Sequence, residues 1–261
     1  MKRRHFFTAA LAAVGSSQLG QFSGRASAQS APASSAPASS SGLMIQALGH
    51  SCFLFSGSGQ RVLVNPFRKI GCTAGYAAPL VKADLVMLSS RLFDEGYTEG
   101  LPGNPRILFE PGVYQLDNQQ IQGIRTDHDR TKGRRFGRNI VWRWNQGGLT
   151  IVHLGGAAAP ISIEQKILMG TPDVLLIPVS GGPKAYTPEE AKQAIAVLSP
   201  KLIIPTQYRT AAADAKTCDS QPVDAFLNLM TGTPVKRGGS SLSLSPAALP
   251  SSGAVIQVLT V

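Results

Sequence analysis

The chain has 261 residues, of which 43% are hydrophobic and 15% are charged, so it can bury a sizeable core without needing a partner to fold. Its formal net charge is +10, and removal of an N-terminal segment that carries four of the cations leaves +6. A surplus of this size falls short of the dense basic stripe of a nucleic-acid-binding protein, so nucleic acid is excluded as an expected partner.

The first 28 residues predict a signal peptide. Basic residues at 2–4 precede a short apolar run at 9–14, and Ala26-Ser27-Ala28 provides a small-residue cleavage site. The Arg3-Arg4 pair and the weakly hydrophobic run resemble the twin-arginine type, which makes the twin-arginine translocase the expected partner during export. No segment has the length of apolar sequence that spans a bilayer. We therefore expect an exported chain in the periplasm or the thylakoid lumen, with no transmembrane segment after signal removal.

The residues that follow the predicted signal peptide have a different amino-acid composition. Residues 29–42 are almost entirely Ser, Ala, Pro and Gln, which predicts a disordered linker. Beyond it, apolar runs of strand length recur between Gly, Pro, Asn and Ser residues, which predicts a strand-rich first half. These runs cover residues 44–48, 52–55, 62–64, 85–88, 107–109, 121–124, 140–144 and 149–153.

The second half of the chain alternates strands with helices. Strands are predicted at 174–178 and 202–205, and a helix between them ends at residue 198. Thr187 suits the N-cap of this helix, Pro188 its first position, and the two glutamates that follow suit the positive end of its dipole. A further helix is predicted over 223–230. This succession predicts one layered α/β domain over residues 43–261.

Several motifs resemble the metallo-β-lactamase superfamily, in the branch that contains the ascorbate-phosphate lactonases and many uncharacterised metal-dependent hydrolases. The motifs lie at residues 49–51, 62–67, 83–90, 153–156, 172–178, 187–191 and 201–208. The resemblance implies a four-layer αβ/βα sandwich. It also implies a hydrolase that uses one or two zinc ions to make a bound water acidic.

The resemblance implies seven metal-ligand positions, and only Asp94 and His128 keep the family's residue type. The other five positions hold Ser90, Leu92, Glu95, Gly156 and Gln207. Leucine cannot bind a metal, and two retained ligands fall short of the three or four that zinc requires. The first expectation is therefore a chain that binds no metal cofactor.

Two functions stay open at this point. The first is a pseudoenzyme, a binding or structural protein whose cleft holds a small anionic molecule. The second is a hydrolase of esters, lactones or phosphoesters with an unconventional metal site built from Asp94, Glu95 and His128. The divalent metal would be Zn²⁺, Mn²⁺, Mg²⁺ or Ca²⁺, and hard carboxylate ligands favour the last three over zinc.

Five further side chains are candidates for ligand binding: His50, Asp127, Asp129, Arg134 and Arg135. The two aspartates flank His128, and His50 corresponds to a family histidine near the site that is not a metal ligand. The two arginines belong to a basic segment whose guanidinium groups suit a phosphate or a carboxylate. The alternative interpretation of that segment is a solvated β-turn.

A structural interpretation of Asp94, Glu95, Asp127 and Asp129 is also open. In it they only form polar hydrogen bonds and ion pairs, with Arg91, Arg130 and Lys132, in a vestigial cleft. The glycine-rich loop at 181–184 is a candidate for the pocket floor. His153 lies outside the family's ligand set, so we expect it to be a buried, hydrogen-bonded histidine.

The fold implied by the resemblance also bears on the cysteines. Cys52 lies in a strand-like run, where a buried thiol is expected. The loops that carry Cys72 and Cys218 would both open on the site-bearing end of the sandwich. A disulfide between these two is therefore expected in an oxidising compartment.

Overall fold

The structure is a computed structural model. It describes residues 42–116, 119–213 and 215–261. The predicted signal peptide, and the predicted linker up to residue 41, lie outside the described residues. No helix in the described part of the chain is long and apolar enough to cross a bilayer.

Within the described residues the chain forms fourteen strands and three α-helices. The strands are β1 (Leu43–Gly49), β2 (Cys52–Gly57), β3 (Gln60–Val64), β4 (Leu85–Met87), β5 (Arg106–Leu108), β6 (Gly112–Leu116), β7 (Gln119–Asp127), β8 (Arg138–Gln146), β9 (Leu149–His153), β10 (Val174–Pro178), β11 (Leu202–Thr206), β12 (Val235–Gly238), β13 (Ser241–Leu244) and β14 (Val255–Leu259). The helices are α1 (Ile163–Met169), α2 (Pro188–Leu198) and α3 (Val223–Leu227).

The strands form two mixed sheets. One has the order β13-β1-β2-β3-β4-β5 and the other the order β12-β14-β11-β10-β9-β8-β7-β6. Strands β3, β4 and β5 run parallel, as do β9, β10, β11 and β14. Because the carboxyl ends of parallel strands meet at one edge of a sheet, the loops that follow them gather there.

The main core lies between the two sheets. Alternation along β8 sends Trp142 and Trp144 into this layer and Val141 to the opposite face, under the helices. Trp144 meets the ring of Phe55 edge to face, with centroids 4.9 Å apart. Both tryptophans are fully buried. This packing confirms the predicted αβ/βα sandwich.

The outer faces of the two sheets are covered differently. Helices α1, α2 and α3 pack on the second sheet, where Ala191 and Phe226 are fully buried. The first sheet is covered by residues 65–84, which form only the 3₁₀ turn Gly71–Thr73. Prolines and glycines in this segment interrupt any longer helix.

Every predicted strand is present, but the sequence missed several elements. Helix α1 was missed because its apolar residues Ile163 and Ile167 are 76% and 73% exposed, so they mark no buried face. The missed signal was the capping box formed by Ser162 and Gln165. Strands β6, β12, β13 and β14 were also missed, and the helix predicted over 223–230 ends at Leu227.

A disulfide joins Cys72 to Cys218, the pair expected from the sequence, across 146 residues of chain. It links the 3₁₀ turn after β3 to the loop after β11, so two loops at the site-bearing edge are tied to each other. Cys52 is free and buried in β2.

Candidate functional site

The predicted site residues lie on loops at one edge of the sandwich. They are His50 between β1 and β2, Asp94 and Glu95 after β4, His128 after β7, Gly156 after β9, and Gln207 after β11. A cleft of about 400 Å³ opens beside them, and its wall includes His50, Asp94, Lys184, Gln207 and Asp219. We call it the front cleft.

Glu95 lies at the centre of the site and is fully buried. Its Oε2 accepts a hydrogen bond from Ser90 Oγ at 3.1 Å and lies 3.2 Å from His128 Nε2. Its Oε1 accepts a hydrogen bond from Gln207 Nε2 at 2.5 Å. All four residues stand at positions where the resemblance implies metal ligands, and here Ser90, His128 and Gln207 each bind Glu95.

Glu95 and His128 form a buried ion pair. Burial alone raises the pKa of Glu95, but the charge and hydrogen bond of His128 outweigh it, and with Lys184 they lower the pKa to about 2. Burial lowers the pKa of His128, and the carboxylate of Glu95 raises it above its usual value. Both pKa directions favour the pairing of a Glu95 carboxylate with a protonated His128.

Gly156 is the residue that gives this ion pair its space. A Cβ atom at position 156 would lie 2.2 Å from His128 Cε1 and 2.4 Å from Glu95 Oε1. The backbone N–H of Gly156 is fixed by Asn139 Oδ1 at 3.0 Å. Glu95 thus occupies the space that an aspartate side chain at position 156 would need.

Asp94 is neutralised by a second cation. Its Oδ2 accepts a hydrogen bond from Lys184 Nζ and lies 4.0 Å from His50 Nε2. Lys184 Nζ also lies 5.8 Å from the ring centroid of Phe136, which favours the cation. Burial lowers the pKa of His50, although Asp94 acts in the opposite direction, so this imidazole is neutral near pH 7.

Lys184 is positioned by the start of helix α2. Arg130 donates hydrogen bonds to carbonyl oxygens on both sides of Lys184, at 2.9 and 3.0 Å. Arg130 is itself held by Glu190, with Nε to Oε1 at 2.8 Å. Glu190 completes the capping box with Thr187, whose N–H donates to Oε2 at 2.8 Å. The N-terminal cap of α2, which the sequence predicts, therefore fixes the loop that carries Lys184.

His50 and Gln207 share an uncommon backbone conformation. Their φ angles are 54° and 56°, in the left-handed region that residues other than glycine seldom adopt. The backbone N–H of Gln207 donates to the carbonyl oxygen of His50 at 3.1 Å, which joins the two sheets at the site. Backbone strain of this kind is concentrated at functional sites.

The structure does not bring Asp127, Asp129, Arg134 and Arg135 into the front cleft. The Thr131 hydroxyl and backbone N–H groups of the loop 131–136 donate to Asp129, which lowers the pKa of its carboxyl. Asp129 thereby shapes that loop. Asp127 ends β7, and the two arginines are exposed on the loop that follows. Their ligand-binding roles stay predictions.

The expected ion pairs with Arg91, Arg130 and Lys132 are wrong, because the cations that reach the acidic residues are His128 and Lys184. Arg130 pairs with Glu190 instead.

His153 is fully buried, with Nε2 3.1 Å from Ser51 O, and it accepts from the backbone N–H of Gly155 at 3.1 Å. Burial lowers its pKa to about 4. It is the buried, hydrogen-bonded histidine that was expected.

The side chains at the seven positions do not fit the metal centre that the resemblance implies. His128 and Gln207 each direct Nε2 at Glu95, and Asp94 is engaged by Lys184. The remaining polar atoms, His128 Nδ1 and Gln207 Oε1, are buried without a hydrogen-bond partner among the described residues. Leu92 has no donor atom. Among the described residues, no three His, Cys, Asp or Glu side chains converge in a geometry that could hold a metal ion. The proposed metal set of Asp94, Glu95 and His128 is therefore divided between two separate ion pairs.

Replacing Gly156 should disrupt the site by steric overlap. We expect Gly156→Ala to lower the free energy of unfolding by about 1–3 kcal/mol, since the new methyl group displaces Glu95 or His128. Gly156→Asp should cost more because it also adds a second buried carboxylate. Chemical denaturation measures both. Gly239→Ala is the control, because a Cβ there meets nothing within 4 Å. Equal effects at both positions would contradict this account.

The ion pair also predicts a pH-dependent stability. The lowered pKa of Glu95 stabilises the fold above about pH 4.3, and this contribution is lost as the pH falls towards about 2. The raised pKa of His128 stabilises the fold below about pH 6.5, and this contribution is lost as the pH rises through that raised pKa.

Glu95→Gln should therefore destabilise the fold most between these limits, by roughly 3–5 kcal/mol. Urea unfolding across the pH range measures this difference. Exposed Glu189→Gln removes the same charge and should cost less than about 1 kcal/mol. A pH-independent difference between wild type and Glu95→Gln would overturn the assignment of the ion pair.

Comparison with known proteins agrees with this fold. Residues 44–207, well over half of the chain, match the family described as the beta-lactamase superfamily domain. A protein of Thermococcus onnurineus (strain NA1) described as a UPF0173 metal-dependent hydrolase is 25% identical over 191 residues, which cover 64% of this chain and 84% of that protein.

Solved structures extend the agreement. A protein of Thermotoga maritima, named as a candidate Zn-dependent hydrolase of the metallo-beta-lactamase superfamily, superposes with a TM-score of 0.67 at 30% identity and covers 83% of this chain and 98% of its own. An isothiocyanate hydrolase from Delia radicum gut bacteria shares the fold alone, with a TM-score of 0.56 at 11% identity over 72% of this chain and 91% of its own. The chain therefore belongs to the metallo-β-lactamase superfamily.

Proposed function

We propose that this chain is an exported, metal-independent binding protein, a pseudoenzyme of its superfamily. The observation that carries the proposal is the arrangement around Glu95. Residues at the metal-ligand positions satisfy this carboxylate through Ser90, His128 and Gln207. Asp94 and Glu95, the two carboxylates at the expected metal-ligand positions, are each paired with a protein cation, so neither is free to bind a divalent metal.

The front cleft supports a binding role. Its volume of about 400 Å³ suits a small molecule. Two atoms of residues in its wall, Ser180 Oγ and Gln207 Oε1, are buried without a hydrogen-bond partner among the described residues. Buried polar groups in folded proteins are nearly always satisfied, so a polar ligand or ordered water is expected beside them. The disulfide at Cys72 keeps one rim of this cleft in place.

A second candidate function is a metal-dependent hydrolase of an ester, lactone or phosphoester. It is favoured by the names of the relatives from Thermococcus and Thermotoga, which are described as metal-dependent or Zn-dependent. To serve it, Glu95 would have to release His128, and Asp94 would have to release Lys184. Each release leaves a buried or half-buried charge unpaired, which is why the binding role is preferred.

Metal analysis separates the two functions. We expect the purified, folded chain to hold far less than one equivalent of metal and its melting temperature to be unchanged by a chelator. Stoichiometric metal, together with hydrolysis that is lost on chelation and in Asp94→Ala, would overturn the proposal. A screen with ester, lactone and phosphoester substrates provides that readout.

Lys184 provides a second test, because in this proposal its ammonium group neutralises the carboxylate of Asp94. Lys184→Met should lower the free energy of unfolding by about 1.5–3 kcal/mol, since Asp94 loses a charged hydrogen bond. Lys201→Met removes a more exposed ion pair, with Asp173, and should cost about 0–1 kcal/mol. If Lys184→Met were as mild as its control, Lys184 would not be neutralising the site.

Export by the twin-arginine translocase, to the periplasm or the thylakoid lumen, is the second part of the proposal. The Cys72–Cys218 disulfide supports it, because such bonds persist in oxidising compartments. We expect the exported chain to begin at Gln29 and to carry this disulfide. N-terminal sequencing and non-reducing mass mapping measure both, and an intact N-terminus with three free thiols would contradict export.

A further inference from the structure

We propose that a second cleft, lined by Arg91, Arg125 and Arg138, binds a small organic oxyanion: a phosphate or carboxylate group carried on an aromatic or apolar body. This inference rests on the proposed binding function and specifies the site and the ligand class. It places the anionic ligand in a cleft that is distinct from the front cleft and adjoins Ser90 and Leu92, two of the expected metal-ligand positions. We call this site the arginine cleft.

The arginine cleft has a volume of about 280 Å³ and lies between the loop after β4 and strands β7 and β8. In the pairing of β7 with β8, Arg125 lies opposite Ile140. Arg138 precedes Ile140 by two residues on β8, so all three side chains lie on one face of the sheet. Arg91 enters from the loop after β4. A hydrogen bond of 2.7 Å from the N–H of Ile140 to Ser89 O fixes that loop against β8.

The positive charges of the arginine cleft are only partly balanced by nearby carboxylates, of which Asp127 lies opposite Arg138 in the pairing of β7 with β8. None of Arg91, Arg125 and Arg138 makes an ion pair in the part of the chain that the structure describes. Glu110 is the one carboxylate of the lining. Three guanidinium groups that line one small cleft repel each other, and a bound anion would relieve that repulsion. Arginine is also the side chain best suited to forked recognition of phosphate and carboxylate.

Apolar groups in the same lining indicate the body of the ligand. Phe109 and Phe136 both contribute to the wall, together with Ile140. The guanidinium carbon of Arg91 lies 4.8 Å from the ring centroid of Phe109, and that ring is 37% exposed. A bare inorganic anion would leave these surfaces in water, whereas an aryl group would cover them.

The front cleft does not offer the same chemistry. Its cation, Lys184, is already paired with Asp94, and Asp219 adds a second carboxylate to the wall. The basic loop does not provide it either, because Arg134 and Arg135 line neither cleft. The anionic ligand expected from the sequence therefore fits Arg125 and Arg138 of the predicted basic cluster, together with Arg91, and not Arg134 and Arg135.

Titration calorimetry of the full-length chain with phenyl phosphate tests the inference. We expect saturable one-to-one binding that weakens as salt is added, because guanidinium–oxyanion contacts are screened. Benzoate tests whether a carboxylate serves as well as a phosphate. Inorganic phosphate and benzyl alcohol each lack one half of the ligand, and both should bind more weakly than phenyl phosphate.

Variants place the binding in this cleft. Arg125→Gln and Arg138→Gln should each weaken phenyl phosphate binding by about 10- to 100-fold, since each removes a charge-assisted hydrogen bond. Arg134→Gln is the matched control, because it removes the same charge from the neighbouring exposed loop. Its effect should stay below about twofold, as for an exposed charge that makes no direct contact. Circular dichroism verifies that each variant is folded.

Absence of phenyl phosphate and benzoate binding to the folded wild-type chain would overturn the inference, and so would equal losses in Arg134→Gln and Arg138→Gln. Both results leave the metal-free assignment untouched, because metal content and chelator sensitivity are measured separately. A chain that binds phenyl phosphate at the arginine cleft and also holds stoichiometric metal would instead contradict the proposed function alone.

Discussion

The buried carboxylate of Glu95 is the constraint on which the site depends. An unpaired ionised carboxylate in a protein interior costs several kcal/mol, so its surroundings must supply donors and a compensating charge. Ser90, His128 and Gln207 supply the donors, and His128 also supplies the charge. One polar atom of each of these three residues is thereby directed at the carboxylate of Glu95.

The second ion pair of the site is assembled over a longer distance. The capping box at the start of α2 holds Glu190, which holds Arg130, which holds the loop of Lys184. Lys184 then meets Asp94. Each step is an ordinary local interaction. Together they hold the ammonium group of Lys184 against Asp94, at a position where the resemblance implies a metal ligand. The site thus contains two internal ion pairs, one at Glu95 and one at Asp94.

The fold could be predicted from the sequence, because strand periodicity and short motifs are local signals, whereas the assignment of the seven ligand positions stays a prediction. The space filled by Glu95 could not be predicted, since the overlap with Gly156 depends on two loops more than sixty residues apart in sequence. The basic segment misled in a similar way. Arg134 and Arg135 line neither cleft, although they follow His128 closely in sequence. Arg138 of the same basic segment does line the arginine cleft, with Arg91 from a distant loop. Proximity along the chain was a poor guide to proximity in space.

The same geometry explains why the changes at the ligand positions form a set and not a series of independent losses. With glycine at position 156 there is room for Glu95, and with Glu95 in place a glutamine at position 207 has a partner. An imidazole at position 207 would meet a carboxylate already shared with His128, while an aspartate at position 156 would overlap both members of that pair. Returning aspartate to position 156 or histidine to position 207 would therefore disturb the contacts of Glu95 and His128, so these four residues are matched to one another in packing and charge.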